Sequence, residues 1–571
     1  MNSSQKLRAR IILGGIIVIA CGLAIALYRI QISEGKDYVA KANKQYARPT
    51  VTTFDRGSIF FTTKEGTHSA AATLTTSATL YMVPKLITDA AGTYEALSHY
   101  VDMDQDVFMK KATFEPNDPY EEIAKKIDAS TTQSIVGLGL TGVGVSKENR
   151  RLYPGGSLAA HTLGLIGENQ GAVEGRYGIE RAYESVLNRP VTSGSSNIFA
   201  QLFTEARDSV FGSGDGAYGD VVTNIEPTVQ GYLEKTLRET SAQWKPDEIG
   251  AIIMDPHTGD ILAMSALPTF DPNDTSSVKN PAVFSNPLVE SAYEMGSIMK
   301  PLTVAIGLDT GAITPTSTYD DTGTMTLSGK KIANFDGKAR GIVSVQEILS
   351  QSLNVGAATV ALKVGKDDFA KYFTSFGFGG KTGIDQPNET PGLAGNLKTG
   401  RDVEIATMAY GQGISMSPIA ITRALGILAN EGKLIRPHVA SQIDYADGTK
   451  KPVTAGDGVQ VLKKESVENV TRMLVKVVDT ALRKGALKMD HYSVAAKTGT
   501  AQVADPATKG YYPDRYLHSF FGYFPAYDPK FIVFLYQKYP KGAQYASETL
   551  AEPFSELTKF LIDYYDVPPD R

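Results

Sequence analysis

At 571 residues the chain exceeds what one hydrophobic core organises, so two or more folded domains are expected. Its 57 Lys and Arg stand against 62 Asp and Glu, a net charge of −5. With no long basic run of the kind that tracks phosphates, nucleic acid is not an expected partner. Cys21 is the single cysteine, and the seven histidines are scattered without HExxH-type spacing, so neither an intramolecular disulfide nor a metal centre is expected, and no cofactor is implied.

Lys6, Arg8 and Arg10 precede an apolar stretch from Ile11 to Tyr28. Its 18 residues would span roughly 27 Å as a helix, close to a bilayer core. The charge bias predicts a cytoplasmic tail at 1–10, a transmembrane anchor at 11–28 and the remainder outside the cytoplasm, as in a single-pass protein of the bacterial cell membrane. Ala24-Ile25-Ala26 also fits a signal-peptidase site, and Val18-Ile19-Ala20-Cys21 a lipobox. The apolar run continues past Cys21, which favours the retained anchor; all three readings export the rest.

Residues 29–221 read as a mixed α/β scaffold in which no nucleophile, acid pair or phosphate loop stands out. Alternating positions in "ARPTVTTFDRGSIFFTTKEG" (Ala47 to Gly66) predict two short strands, and three- and four-residue apolar steps in "TYEALSHYV" and "YEEIAKKI" predict small amphipathic helices. A second domain, 222–571, is expected to open with a helix in "TNIEPTVQGYLEKTLRETSA" and a hairpin, "IGAIIMDPHTGDILAMSA", turning at Asp255 to Gly259. A strand pair is read ahead of Ser297. The end predicts three strands, "YSVAAKTGTAQVA", "LHSFFGYFPA" and "KFIVFLYQKYP", followed by a helix, "LAEPFSELTKFLIDYY".

The stretch "YEMGSIMKPLTVAIGL" carries Ser297 and, three places on, Lys300 in an otherwise apolar helix. Positions i and i+3 share a face, and Pro301 is tolerated only near a helix start, so the helix must begin close to Ser297. Burial and the positive helix end both disfavour an ammonium at Lys300, leaving an amine able to take the serine proton. Ser297 is thus a candidate nucleophile and Lys300 its base. Alone, an SxxK pattern is weak, since a lysine here could run its stem along the core and snorkel. Ser352-Leu353-Asn354, heading an apolar helix, could present a hydroxyl that relays the proton and an amide that holds a substrate backbone. Lys497-Thr498-Gly499-Thr500, in an alternating strand, supplies a cation, close approach at Gly499, and an edge for pairing a peptide. Lys381-Thr382-Gly383 and Lys398-Thr399-Gly400 repeat the tripeptide without strand neighbours and are expected to be coincidental.

These three elements in order, with "DRGSI", "RRLYPGGSLAAHTLG", "GIERAYE", "DPHTGDILAM", "FDPN", "FGFGGKTGID" and "GQGISMSP", resemble the class B penicillin-binding proteins. The resemblance implies an α+β multidomain fold: an anchor, an elongated pedestal of the dimerisation type, and a transpeptidase domain whose antiparallel sheet is flanked by helices as in serine β-lactamases. It implies a peptidoglycan D,D-transpeptidase that is acylated by β-lactam antibiotics and whose substrates are stem peptides. Ser297 and Thr500 would supply the backbone N–H groups of an oxyanion hole, and Thr498, Gly499 and Thr500 would bind substrate. "SLNVGAA" is more similar to the cell-division type than to the elongation type, and a membrane-embedded glycan polymerase and other division proteins are the implied partners. Met295 and Met299 stand where the family has Pro and Phe, and altered packing is expected there. A serine β-lactamase shares the motifs without the N-terminal half; a non-catalytic β-lactam-binding scaffold is the reading from another class.

Overall fold

The computed structural model describes residues 54–114, 121–169, 172–189, 218–505, 507–508 and 510–571. The expected tail, anchor and first strand residues at 47–53 lie outside them. Among the described residues no helix is long and apolar enough to cross a membrane. The described residues divide into two compact units, one formed by 54, 75–114 and 121–150, the other by 55–74, 151–169, 172–189, 218–505, 507–508 and 510–571.

Strand β1 (Ile59–Thr62) falls on the far side of the Arg56-Gly57 step, where one of the two strands read in 47–66 is expected. Its antiparallel partner β2 (His68–Met82), with Ile59 opposite Ala72 and Thr62 opposite His68, lies beyond that stretch and is not anticipated by the sequence. The far half of β2 belongs to the smaller unit. There helices α1 (Ala90–Ser98) and α2 (Gln105–Phe114) accompany strand β3 (Glu121–Ile127), which pairs with β2 from Ala78 to Met82. The sequence "YEEIAKKI" was expected to be helical, and this is a correction. Ile123 and Ile127 are four apart, a spacing that one helix face shares with alternate positions of a strand. Pairing with β2 settles the choice, as tertiary context commonly does for so short a segment.

In the larger unit three family landmarks meet in one buried ionic cluster. Glu180 of "GIERAYE" accepts Arg56 Nε at 2.6 Å from "DRGSI", Arg151 Nε at 2.6 Å from "RRLYPGG", and the Tyr153 hydroxyl at 3.1 Å. Glu180 and Arg56 are nearly inaccessible. Breaking such a pair from one side leaves an uncompensated buried charge, typically costing about 3–5 kcal/mol.

The C-terminal part of the larger unit is built on one five-stranded antiparallel sheet. Helix α3 (Pro227–Trp244) leads into β4 (Glu248–Met254) and β5 (Ile261–Leu267), the predicted hairpin. The further strand pair read between this hairpin and Ser297 is not formed, and this is a correction: short helical turns, Thr275–Ser277, Pro281–Phe284 and Pro287–Glu290, occupy that span. Strands β6 (Ala495–Asp505), β7 (Gly510–Phe524) and β8 (Phe531–Lys538) complete the order β6-β7-β8-β4-β5. The last strand of the chain thus pairs with the first of the domain, and β6 is left as an edge. Helix α4 (Lys300–Asp309) is buried almost all round, with Leu302, Val304, Ala305 and Ile306 inaccessible, which explains why most of its residues are apolar. The terminal helix α5 (Ala551–Tyr564) packs beside α3, where Tyr232 and Phe560 stack at 3.9 Å.

Candidate active site

Ser297 lies in a 3₁₀ turn, Gly296–Met299, that runs directly into α4 at Lys300, with Pro301 in the first helical turn. The sequence placed the helix start within this turn. Met295 and Met299, the two departures from the family pattern, are both fully buried and serve as packing. The turn is held from two sides. Glycine is required on each: a Cβ on Gly411 would sit 2.2 Å from Gly296 O, and one on Gly499 would sit 2.3 Å from Ser519 Oγ and 2.7 Å from Met295 O. The loop 411–416 pairs with this segment through Gly296 N to Gly411 O (3.1 Å) and the Tyr293–Met416 bridge. The landmark "GQGISMSP" therefore backs the nucleophile turn.

Ser352 is presented by the end of a helix. The helix Gln346–Ser350 closes with Leu353 N donating to Ile348 O, six residues to one, and Ser352 occupies the left-handed position of that cap at φ 54°. Glycine is usual there; a serine costs roughly 1–2 kcal/mol, strain of the kind that collects at functional sites. Asn354 opens the next helix, Asn354–Val364, and its Nδ2 donates to Ala333 O at 2.8 Å. One amide N–H is thereby committed to the protein, and Asn354 is among the residues lining the cavity. Asn334 Oδ1 accepts Val355 N at 3.1 Å and supplies the cap that Leu353 lacks.

Ser352 Oγ accepts from both lysines, Lys300 Nζ at 3.1 Å and Lys497 Nζ at 3.1 Å. Lys300 also donates to Ser352 O and Lys497 to Thr498 O at 2.9 Å. The lysine side chains are buried, and two nitrogens each 3.1 Å from one oxygen lie no more than about 6 Å apart. At an effective dielectric of about 20, two charges at that separation repel by roughly 3 kcal/mol, near two pKa units. Lys300 is held well below its ordinary value, by burial first and by the Lys497 charge second. Burial brings Lys497 to about 7. Of the pair, Lys300 is thus the one pushed further from the ammonium form, and Lys497 is a weaker cation than expected.

Ser297, Ser352, Asn354, Lys497, Thr498 and Thr500 line one cavity of about 740 Å³, with Lys300 beneath its floor. Among the described residues Ser297 Oγ has no hydrogen-bond partner, and the bonds that tie the cluster together run through Ser352. Gly499 serves by its missing side chain. The Thr500 hydroxyl accepts Ala546 N at 3.1 Å, tying β6 to the loop 544–547 that forms another wall. The other two KTG copies lie elsewhere: Thr382 N and Gly383 N bond the Glu389 carboxylate in a loop, and Lys398 and Thr399 end a short helix.

Sequence reasoning missed Glu294, Tyr410, Gln412 and Arg483. Glu294, three residues before Ser297, accepts Gly413 N at 2.9 Å and the Tyr511 hydroxyl at 3.3 Å, and burial raises its pKa. An acid inside an apolar stretch was the available signal. Tyr410, Gln412 and Arg483 line the cavity from segments whose positions depend on tertiary packing.

A serine opening a helix, a buried lysine one turn on, and a hydroxyl shared with a second lysine on a sheet edge fit a serine acyl-transfer centre with a lysine base. The chain belongs to the penicillin-binding proteins: the penicillin binding protein transpeptidase domain matches residues 249–559, and the penicillin-binding protein dimerisation domain matches residues 55–189. It is 31% identical over 501 residues to "Stage V sporulation protein D" of Bacillus subtilis, covering 84% of this chain and 74% of that one. It is 23% identical over 497 residues to "Peptidoglycan D,D-transpeptidase FtsI" of Escherichia coli, covering 85% and 80%. Its fold is similar to that of penicillin binding protein 2X from Streptococcus thermophilus (TM-score 0.74, 20% identity, 91% and 81% covered). It is also similar to penicillin binding protein 3 of a Mycobacterium, complexed with aztreonam (TM-score 0.68, 21% identity, 91% and 98% covered).

Proposed function

We propose that this protein is a peptidoglycan D,D-transpeptidase that works through an acyl-enzyme on Ser297. The observation that carries the reading is the Ser352 hydroxyl held between two buried lysines at the edge of the cavity onto which Ser297 opens. Neutral Lys300 takes the Ser297 proton as Oγ bonds to the penultimate D-alanine carbonyl carbon. Ser352 Oγ passes a proton from Lys300 to the nitrogen of the terminal D-alanine as that C–N bond breaks. An amine on a neighbouring strand then attacks the ester, its C–N bond forms, the C–Oγ bond breaks and the proton returns to Ser297. The Ser297 and Thr500 N–H groups stabilise the oxyanion; one such donor typically contributes about 3–4 kcal/mol. Asn354, Thr498 and the free edge of β6 hold the peptide, and Lys497 attracts its carboxylate.

A β-lactam acylates the same serine. Residues 29–221 act as a non-catalytic pedestal, residues 222–571 as the catalytic domain, and the segment 11–28 anchors both to the cell membrane with the catalytic domain outside. The relatives named FtsI and the "SLNVGAA" motif support a role in septal wall synthesis beside a membrane-embedded glycan polymerase and other division proteins. The test is labelling with fluorescent penicillin. Wild type is expected to label and Ser297→Ala to remain dark; equal labelling of both would remove Ser297 as the nucleophile.

A further inference from the structure

The described residues lining the catalytic cavity include four cations, Lys331, Arg340, Arg483 and Lys497, and no aspartate or glutamate. In a chain of net charge −5, so one-sided a lining selects an anion. The four are not equally free to bind one. Lys497 is buried and donates to Ser352 Oγ and Thr498 O. Arg340 is held in a fork by the Asp336 carboxylate at 2.8 and 2.9 Å and also donates to Lys338 O and Gln351 Oε1. Lys331 rises from a short exposed hairpin, Thr324–Leu327 with Lys330–Ala333. Arg483 is half-exposed, and the acid that faces it, Glu552, is 3.8 Å away and itself exposed.

The backbone under Arg483 is unusual. A helix from Lys464 to Lys476 widens into a π-helical turn, Val477–Ala481, and the chain then turns sharply through Arg483 (φ 47°), Lys484 (φ 58°) and Gly485 (φ 81°). Glycine suits such angles, whereas arginine and lysine are strained there. Gly485 is forced by packing as well, because a Cβ there would sit 2.6 Å from Asp479 O. No comparable contact demands arginine at 483. π-turns and left-handed non-glycine residues both concentrate where a fold serves a site, and this stretch forms the cavity wall with Val477, Ala481 and Leu482.

We infer that Arg483 is the guanidinium that pairs with the free carboxylate of the acyl donor, the group that a D-Ala-D-Ala terminus and a β-lactam have in common. This rests on the transpeptidase reading. Arg483 is then a specificity-determining residue distinct from the acylation machinery. Its planar fork can take a carboxylate in two parallel hydrogen bonds, which a lysine cannot. Lys497, committed within the protein, contributes field to the same cavity while Arg483 makes the ion pair.

The experiment compares the second-order acylation constants of benzylpenicillin and its methyl ester, measured on one preparation each of wild type, Arg483→Gln and Arg483→Lys. Taking the acid-to-ester ratio within a preparation cancels any loss of folded protein. The ratio is expected to fall about fivefold in Arg483→Gln, as a partly exposed ion pair implies, and to recover in part in Arg483→Lys. Raising ionic strength should lower the wild-type ratio more than that of Arg483→Gln. An Arg483→Gln ratio equal to wild type, with Ser297-dependent acylation intact, overturns the assignment of Arg483 alone. Failure of wild type to react with either compound overturns the transpeptidase reading beneath it. Arg483→Gly adds a readout that a structural role would not give: relief of the left-handed strain should raise stability while the ratio falls, and a fall in stability with the ratio kept would contradict the inference.

Discussion

Substitution of Ser352 by alanine isolates the relay. It deletes one oxygen, and that oxygen accepts at 3.1 Å from each of two buried amines. Each lysine keeps one carbonyl partner, Ser352 O for Lys300 and Thr498 O for Lys497, so neither is stranded. The stability cost is that of two buried hydrogen bonds to a shared acceptor, about 2–4 kcal/mol in all. The catalytic cost is larger, because the path from Lys300 to the departing nitrogen is cut, and positioned proton transfer contributes roughly 10²–10⁴-fold. Stopped-flow acylation by a reporter cephalosporin and denaturant unfolding measure the two separately. Ser352→Gly separates the backbone from the hydroxyl. It should lose the same acylation rate yet be more stable than Ser352→Ala, since glycine relieves the φ 54° strain that alanine retains. Acylation of Ser352→Ala within about threefold of wild type, a small fraction of that range, would refute the relay.

Lys497 is a cation below about pH 7 and neutral above it. The acylation constant for an anionic penicillin should therefore decline as pH rises through that value, and Lys497→Arg, which stays charged, should move the decline upward. A pH–rate profile flat from 6 to 9 for wild type would contradict this, those limits bracketing the range over which a group titrating near 7 changes charge. Gly499→Ala would push a methyl to within 2.7 Å of Met295 O, so the nucleophile turn must shift by several tenths of an ångström. Overpacking of this kind costs about 1–3 kcal/mol, while misplacing the serine can cost about 100-fold in acylation. A Gly499→Ala variant with wild-type kinetics would show that the close approach is dispensable. Glu294→Ala should lower acylation by loosening Gly413 and Tyr511, and Glu294→Gln, which can still accept from both, should retain most of it; equal losses would rule out hydrogen-bond acceptance as the role.

The parts of the site that were legible in the sequence are those fixed by local constraints. Pro301 marks the start of its helix, and the i, i+3 spacing puts Lys300 one turn from Ser297. Strand alternation singles out one KTG among three. The sheet's three final strands and its opening hairpin are equally local, although their closure into one sheet through β8 and β4 is not. What stayed hidden depends on chain segments meeting from afar. Ser352 was legible as a hydroxyl, but its left-handed cap and its place between two lysines come from the helix before it and the strand 145 residues after it. The same distance conceals why Lys497 is only weakly charged: burial is a property of the assembled cavity. "YEEIAKKI" fits a helix and a strand equally until β2 is beside it. Arg483 gives no sequence signal, since nothing in "DTALRKGAL" announces a π-turn followed by left-handed residues.

The account depends most on Lys300 being an uncharged amine at neutral pH. Heteronuclear NMR of protein labelled at lysine Cε, with the Lys300 signal assigned by its loss in Lys300→Arg, reads that charge directly. Titration of Lys300 well below the ordinary lysine value of 10.5, with the neutral form dominant at pH 7.5, is the predicted result. A Lys300 signal that titrates near 10.5 would mean that the residue is an ammonium when Ser297 reacts, and the base assigned here would be wrong.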